Sequence, residues 1–182
     1  MIGIFIGSFN PPTLAHLGIC KKLKSNFKKI VLVPVNSRDK ELVSFTSRVD
    51  MLNILIRQYH FLEITDIMKN YSYLNDRIID LLKNKYHNIS IIIGSDLLDK
   101  LDTFDNYQYL LENNVFYVIP RDDDINKIIK QKYFDYQDKF KIIKFNSNIS
   151  STMARNNLKN NLDTKNILDK DVLSYIREKH LY

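Results

Sequence analysis

The sequence is poor in the features that mark secreted and membrane proteins. Its 182 residues include one cysteine, Cys20, so no internal disulfide can form, and we expect a buried thiol. No apolar run approaches the roughly 20 residues that a membrane span needs. The apolar start, Ile2–Ile6, is not preceded by the basic region that a signal peptide requires. We therefore predict a cytoplasmic protein with no membrane partner.

Glycine is also scarce, with four in the chain, and neither GxGxxG nor GxxxxGKS/T occurs. By signature, the chain is neither a dinucleotide-dependent redox domain nor a P-loop protein. A length of 182 residues suits a single domain, residues 1–182, with a core of its own. The net charge of +6 suggests an anionic partner, either nucleic acid or a polyphosphate nucleotide. The lysines are spread along the chain, so we predict no nucleic-acid partner.

Short apolar runs alternate with segments of helical periodicity along the whole sequence. This alternation predicts right-handed crossovers and an α/β fold, a doubly wound Rossmann-like parallel sheet flanked by helices. Ligands of such folds bind at the carboxyl edge of the sheet, where the strand order reverses. The predicted strands are Ile2–Ile6, Ile30–Val35, Phe61–Ile64, Ile89–Ile93, Val115–Ile119 and Lys141–Phe145. The predicted helices are Leu14–Asn26, Ser47–Gln58, Tyr73–Lys85, Phe104–Glu112, Asp124–Lys132, Thr152–Asn160 and Asp171–Glu178.

The string GSFNPPTLAH, residues 7–16, joins the first predicted strand to the first helix. Gly7 lets the backbone approach a ligand closely, and two prolines stiffen the loop. Thr13 can cap the helix, whose free N–H groups and positive dipole end suit a phosphate. His16 follows about one turn later, near the same end of the helix. A stiff proline turn followed by a surface histidine is the alternative interpretation.

The string ISSTMAR, residues 149–155, opens another helix after the sixth strand. Ser150, Ser151 and Thr152 can face one anion together with the free N–H groups. Arg155, about one turn on, can add its charge to the same phosphates. Ordinary capping would explain one of these hydroxyl groups but not all three.

These two strings resemble the GxFxPxxxGH and ISSTxxR motifs of the nucleotidyltransferase superfamily. Within it, the chain is most similar to the nicotinate/nicotinamide mononucleotide adenylyltransferases. The sequence departs from the family motif at two positions, where Thr13 replaces a histidine and Ala15 replaces the glycine. The resemblance implies that the 5′-phosphate of a pyridine mononucleotide attacks the α-phosphorus of ATP, releasing pyrophosphate, with Mg²⁺ accompanying the ATP.

The resemblance also implies roles for individual residues. His16 and Thr13 would be catalytic donors at the α-phosphate, and the turn with Arg155 would hold the β- and γ-phosphates. The segment Gly94-Ser95-Asp96 would hold the adenosine ribose, and a helix cap at Ser95 is the alternative interpretation. The implied ATP-binding residues are Gly7, Ser8, Phe9, His16, Gly94, Asp96, Ser150, Ser151, Thr152 and Arg155.

Further residues match weaker parts of the family pattern. Lys40 would contact phosphate and Arg48 would support the site, although both also suit an ordinary charged surface. Arg121 would lie at the nucleotide. Phe104 stands where the family usually has a tryptophan that stacks on the pyridine ring, and the core is its alternative place. The residues implied to bind the mononucleotide are Ser72, Tyr73 and Phe104.

Some choices stay open at this stage. The acceptor is either nicotinate or nicotinamide mononucleotide, and a homo-oligomer is compatible with the resemblance. A phosphopantetheine adenylyltransferase is the closest alternative enzyme, because it shares the opening motif with threonine in the first position. A nucleotide- or RNA-binding module that has lost catalysis is the alternative of another class, suggested by Ala15. The remaining histidines lack the spacing of a metal site, so we predict no metal held by the protein itself.

Overall fold

The computed structural model describes residues 1–36, 41–71, 74–104, 106–121 and 124–182. Within them the strands are β1 (Ile2–Gly7), β2 (Lys29–Pro34), β3 (Leu62–Ile64), β4 (Ile89–Gly94), β5 (Phe116–Ile119) and β6 (Phe140–Ile142). They form one parallel sheet in the order β3-β2-β1-β4-β5-β6. The predicted doubly wound Rossmann-like sheet is confirmed. The first five strands lie within two residues of their predicted bounds, whereas the sixth ends at Ile142 and not at Phe145 as predicted.

The helices within the described residues are α1 (Leu14–Leu23), α2 (Phe45–Ile56), α3 (Asp76–Tyr86), α4 (Ser95–Leu98), α5 (Tyr107–Asn113), α6 (Ile125–Lys132), α7 (Ser151–Lys159) and α8 (Lys170–Glu178). Side-chain caps determine several of their starts. The Asn75 side chain accepts a hydrogen bond from the Ile78 N–H, so α3 begins at Asp76, three residues later than predicted. In the same way, the Asp169 side chain caps α8. None of the described helices is long and apolar enough to cross a membrane.

Apolar side chains fill the space on both faces of the sheet. Along β1, Phe5 points into the cluster formed with α1, α2 and α8, whereas Ile4 and Ile6 join the cluster formed with α3, α5 and α6. This alternation follows from the two-residue period of a strand. Because both faces are covered, the central strands are continuous apolar runs, which is why they could be recognised from the sequence.

The strand order reverses between β1 and β4, which lie side by side. From β1 the chain continues to β2 and β3 on one side, and from β4 it continues to β5 and β6 on the other. In sheets of this kind, the loops that leave the carboxyl ends of two such strands diverge and leave a crevice between them. Gly7 ends β1 and Gly94 ends β4, so two of the predicted ligand segments begin at this crevice.

Candidate active site

The two terminal motifs are in direct contact, although about 140 residues separate them in the sequence. The Ser151 hydroxyl donates a hydrogen bond to the Pro11 carbonyl oxygen at 2.8 Å. Arg155 Nη1 donates to the Asn10 carbonyl oxygen at 2.7 Å. The start of α7 is therefore fastened to the loop that follows β1, and both motifs open on the same edge of the sheet.

The start of α7 has the donors that an anion requires. The Ser150 hydroxyl accepts from the Met153 N–H at 3.1 Å, and the first internal bond runs from the Ala154 N–H to the Ser150 carbonyl. The Ser151 and Thr152 N–H groups therefore precede the hydrogen-bond ladder of this nine-residue helix. Thr152 is exposed, and its hydroxyl lies 3.3 Å from Arg155 Nη2. Backbone donors, one hydroxyl and a guanidinium thus converge here.

The sequence predicted free N–H groups at the start of α1, but two of them already have acceptors within the protein. The Thr13 N–H donates to His16 Nδ1 at 3.0 Å, and the Leu14 N–H donates to the Ile167 carbonyl at 2.9 Å. Thr13 is completely buried, with its hydroxyl 2.8 Å from the same ring nitrogen. The expectation that Thr13 offers its hydroxyl to a phosphate is therefore corrected, because this side chain holds His16 instead.

The hydrogen bonds of His16 define how its ring can act. Since Nδ1 accepts from a backbone N–H, the neutral ring carries its proton on Nε2. Burial, helped by the positive charge of Arg121, lowers the pKa of His16 to about 3. The Phe9 ring packs edge-on against the imidazole, with centroids 5.1 Å apart. Near neutral pH, the His16 ring is therefore uncharged and held in place. Its Nε2–H can donate a hydrogen bond, but the ring offers no positive charge to a phosphate.

Within the opening loop, the Phe9 ring lies in the apolar core. Phe9 is 1% exposed, has a positive φ of 48°, and packs edge-on against Phe5. The expectation that Phe9 contacts ATP is therefore corrected for its side chain, because the ring belongs to the core. A Cβ on Gly7 would lie 3.1 Å from the Phe9 ring, so a larger residue here would crowd that ring. Gly7 and Ser8 remain partly exposed at the crevice.

Arg48 lies inside the protein, next to the opening loop, and is 1% exposed. Its guanidinium donates to the Ser8 carbonyl at 2.9 Å, the Val35 carbonyl at 2.8 Å and the Val43 carbonyl at 3.2 Å. A fourth bond, from Nη2, reaches Asn36 Oδ1 at 2.5 Å. These bonds join the opening loop, the end of β2 and the start of α2. The predicted supporting role fits this geometry, whereas the surface alternative does not.

A charged pair lies at the carboxyl ends of β4 and β5. Asp96 Oδ2 is 3.4 Å from Arg121 Nη1, and both side chains are about half exposed. The Arg121 N–H donates to the Ser95 hydroxyl at 3.3 Å. A Cβ on Gly94 would lie 2.6 Å from Asp96 Oδ1, so only glycine allows the carboxylate to fold back here. The alternative of a cap at Ser95 is wrong, because Gly94 occupies the cap position of α4.

Of the three residues implied to bind the mononucleotide, the structure describes only Phe104. Phe104 is half-buried and packs against the apolar cluster on the α3 and α5 face of the sheet. Its ring therefore has the core contacts of the alternative interpretation, and only part of it is open to a ligand. Ser72, Tyr73 and Lys40 lie outside the described residues.

Two further groups bear on cofactors and redox chemistry. Among the described residues, no group of three or more histidine, cysteine, aspartate or glutamate side chains could hold a metal ion. Cys20 is buried in α1, and burial raises the pKa of its thiol to about 12, so it stays protonated and unreactive.

The sequence interpretation missed Asn10 as a residue of the site. Asn10 is 2% exposed, precedes a cis peptide bond to Pro11, and accepts the bond from Arg155 through its carbonyl. Its side-chain amide donates to the Glu41 carbonyl at 3.3 Å and accepts from the Val43 N–H at 3.1 Å. The sequence around Asn10 does not indicate that this polar residue is buried, because the hydrogen-bond partners of its side chain come from a separate segment.

Comparisons with known proteins find relatives along the whole chain. A family model described as cytidylyltransferase-like matches residues 4–157. A probable nicotinate-nucleotide adenylyltransferase of Acholeplasma laidlawii is 32% identical, over 100% of this chain and 97% of that protein. A protein of the same description from Fusobacterium nucleatum is 30% identical, over 99% of this chain and 98% of its own length.

The same fold occurs in a solved structure. The nicotinic acid mononucleotide adenylyltransferase of Plasmodium falciparum, complexed with NaAD, has a TM-score of 0.82 to this chain at 24% identity. The match covers 100% of this chain and 96% of that one. From the family model and the full-length relatives together, the chain belongs to the cytidylyltransferase-like family and, within it, to the nicotinate-nucleotide adenylyltransferases.

Proposed function

We propose that the chain joins nicotinate mononucleotide to the adenylyl group of Mg-ATP, giving the dinucleotide and pyrophosphate. The observation that carries this proposal is the direct contact between the opening loop and the start of α7, through the Ser151 and Arg155 bonds. That contact gathers the donors of both motifs in the crevice between β1 and β4, where a nucleotide binds in this fold. The descriptions of the full-length relatives support the choice of nicotinate mononucleotide as acceptor.

The reaction requires positioning and charge stabilisation more than acid–base chemistry. An oxygen of the mononucleotide phosphate forms a bond to the α-phosphorus, and the bond from that phosphorus to the oxygen bridging to the β-phosphate breaks. The attacking oxygen is already anionic, so it needs no base. The Nε2–H of His16 donates to an α-phosphoryl oxygen as charge develops there. Arg155 and the N–H groups of Ser151 and Thr152 stabilise the departing pyrophosphate.

Magnesium enters this scheme as part of the substrate. The described residues near the start of α7 offer N–H groups and a guanidinium, which bind phosphate oxygens and cannot ligate a cation. Mg²⁺ prefers phosphate and water ligands, and when bound to ATP it neutralises part of the charge on the phosphates. The donor set therefore suits Mg-ATP, with Arg155 placed to take the phosphate charge that remains.

Arg155→Ala tests the phosphate site within this proposal. Losing a charge-assisted hydrogen-bonding group is expected to raise the KM for ATP by about 10- to 100-fold, with the KM for the mononucleotide nearly unchanged. Pyrophosphate release with Mg-ATP and nicotinate mononucleotide is the assay. Lys159→Ala is the matched control, because it removes one exposed positive charge from the same helix. An unchanged dependence on ATP in Arg155→Ala would remove Arg155 from the site.

A further inference from the structure

Tyr182, the last residue of the sequence, reaches the phosphate site from a region that carries none of the motifs. Its hydroxyl donates to Asn10 Oδ1 at 2.7 Å, across 172 positions of sequence. Asn10 is the residue whose carbonyl accepts the bond from Arg155. Asn10 therefore links the Tyr182 hydroxyl to the Arg155 guanidinium, which we place at the phosphates.

The chain reversal after α8 fixes the direction in which Tyr182 points. His180 adopts a positive φ of 50° just beyond the helix. Its N–H donates to the Arg177 carbonyl at 3.3 Å, and the Leu181 N–H donates to the Ile176 carbonyl at 3.0 Å. This pair of bonds is the Schellman motif, which ends helices in a defined turn. Leu181 and Tyr182 then pack against the apolar cluster of α1, α2 and α8.

Asn10 has its side-chain acceptor occupied by two different segments. Oδ1 accepts from the Val43 N–H and from Tyr182, while the amide NH₂ donates to the Glu41 carbonyl. Burial raises the pKa of Tyr182 by more than the neighbouring charges of Arg155 and Arg48 lower it. The hydroxyl therefore keeps its proton across the neutral range and stays a donor. Without it, the Asn10 amide would lose one of the contacts that determine its orientation.

We infer that Tyr182 is a positioning residue for the adenylyl transfer, since its hydroxyl fixes Asn10 and thereby the loop that Arg155 contacts. This inference rests on the proposed function and adds a residue to its ATP subsite. The Tyr182 hydroxyl donates to Asn10, so it acts through that residue and not by contact with the reacting atoms or the mononucleotide. Its loss should therefore weaken ATP use without disturbing the acceptor.

Tyr182→Phe removes the hydroxyl and keeps the packing of the ring. It is expected to lower kcat/KM for ATP by about two- to tenfold, the effect of losing one neutral hydrogen bond. The KM for nicotinate mononucleotide and the melting temperature should stay close to those of the unmodified protein. Tyr175→Phe is the matched control. The Tyr175 hydroxyl makes an equivalent 2.8 Å bond from α8, but its partner is Asp50 of α2 and not a residue of the opening loop. That control should leave kcat/KM for ATP unchanged.

Binding of a non-reactive ATP analogue, measured by calorimetry with Mg²⁺, makes the test independent of turnover. Weaker binding in Tyr182→Phe and not in Tyr175→Phe would support the inference, even if no acceptor were used by the unmodified protein. In that last case the proposed function would fail, while the role of Tyr182 in the ATP subsite would stand. Equal effects of the two substitutions, or no effect of either, would overturn the inference.

Discussion

Replacing His16 with alanine is expected to lower kcat by about 100- to 1,000-fold, the usual loss when one preorganised donor to a developing oxyanion is removed. The Nε2–H is the donor, because Nδ1 is occupied by the Thr13 N–H. Since the ring is neutral, its contribution is a directed hydrogen bond and not a full positive charge. The KM for ATP should therefore change much less than kcat. Pyrophosphate release at saturating Mg-ATP and mononucleotide measures the effect.

The control for His16→Ala must separate chemistry from folding, because the ring packs against Phe9. Circular dichroism and a melting curve establish that the variant is folded. His60→Ala removes an exposed imidazole elsewhere on the surface and should keep full turnover. A folded His16→Ala protein with near-normal kcat would exclude His16 from the transition state.

Arg48→Met is expected to cause the largest loss of stability, about 3 to 5 kcal/mol in the free energy of unfolding. Methionine fills much of the same volume but donates no hydrogen bond. The carbonyls of Ser8, Val35 and Val43 would be left without this donor inside the protein. For a chain of this length, the melting temperature should fall by roughly 10 °C. Activity at low temperature should also fall, because the Ser8 carbonyl is part of the opening loop.

Arg57→Met is the matched control, since it replaces an arginine that follows the same helix. Arg57 is exposed and pairs with Asp171 at the surface. Surface ion pairs contribute little, so its loss should cost at most about 1 kcal/mol. Similar melting temperatures for the two variants would show that Arg48 does not hold these segments together.

The architecture was predictable because burial and periodicity are local properties of the sequence. The central runs Ile2–Ile6, Ile30–Val35 and Ile89–Ile93 are apolar throughout, as strands covered on both faces must be. The short helix α4 was missed, because four residues are too few to show a period. The alternation of strands and helices then leaves little choice of topology, since parallel crossovers have one hand.

The site was predictable in its motifs but not in its hydrogen bonds. Nothing in the string around Thr13 indicates that its hydroxyl is hydrogen-bonded to His16, or that the Phe9 ring lies in the core. Arginine is rarely fully buried, so the sequence favoured a surface position for Arg48 over a place in the site, whereas the side chain is buried. These outcomes depend on carbonyls supplied by distant segments, which only the folded chain brings together.

The most direct test of the central claim is the rate of pyrophosphate release from Mg-ATP with three acceptors in parallel, with the adenylylated product identified for each. These are nicotinate mononucleotide, nicotinamide mononucleotide and phosphopantetheine, compared by kcat/KM. We predict turnover with the pyridine mononucleotides, highest with nicotinate mononucleotide, and one pyrophosphate released per dinucleotide. Turnover with phosphopantetheine alone, or ATP binding without turnover on any acceptor, would contradict the account.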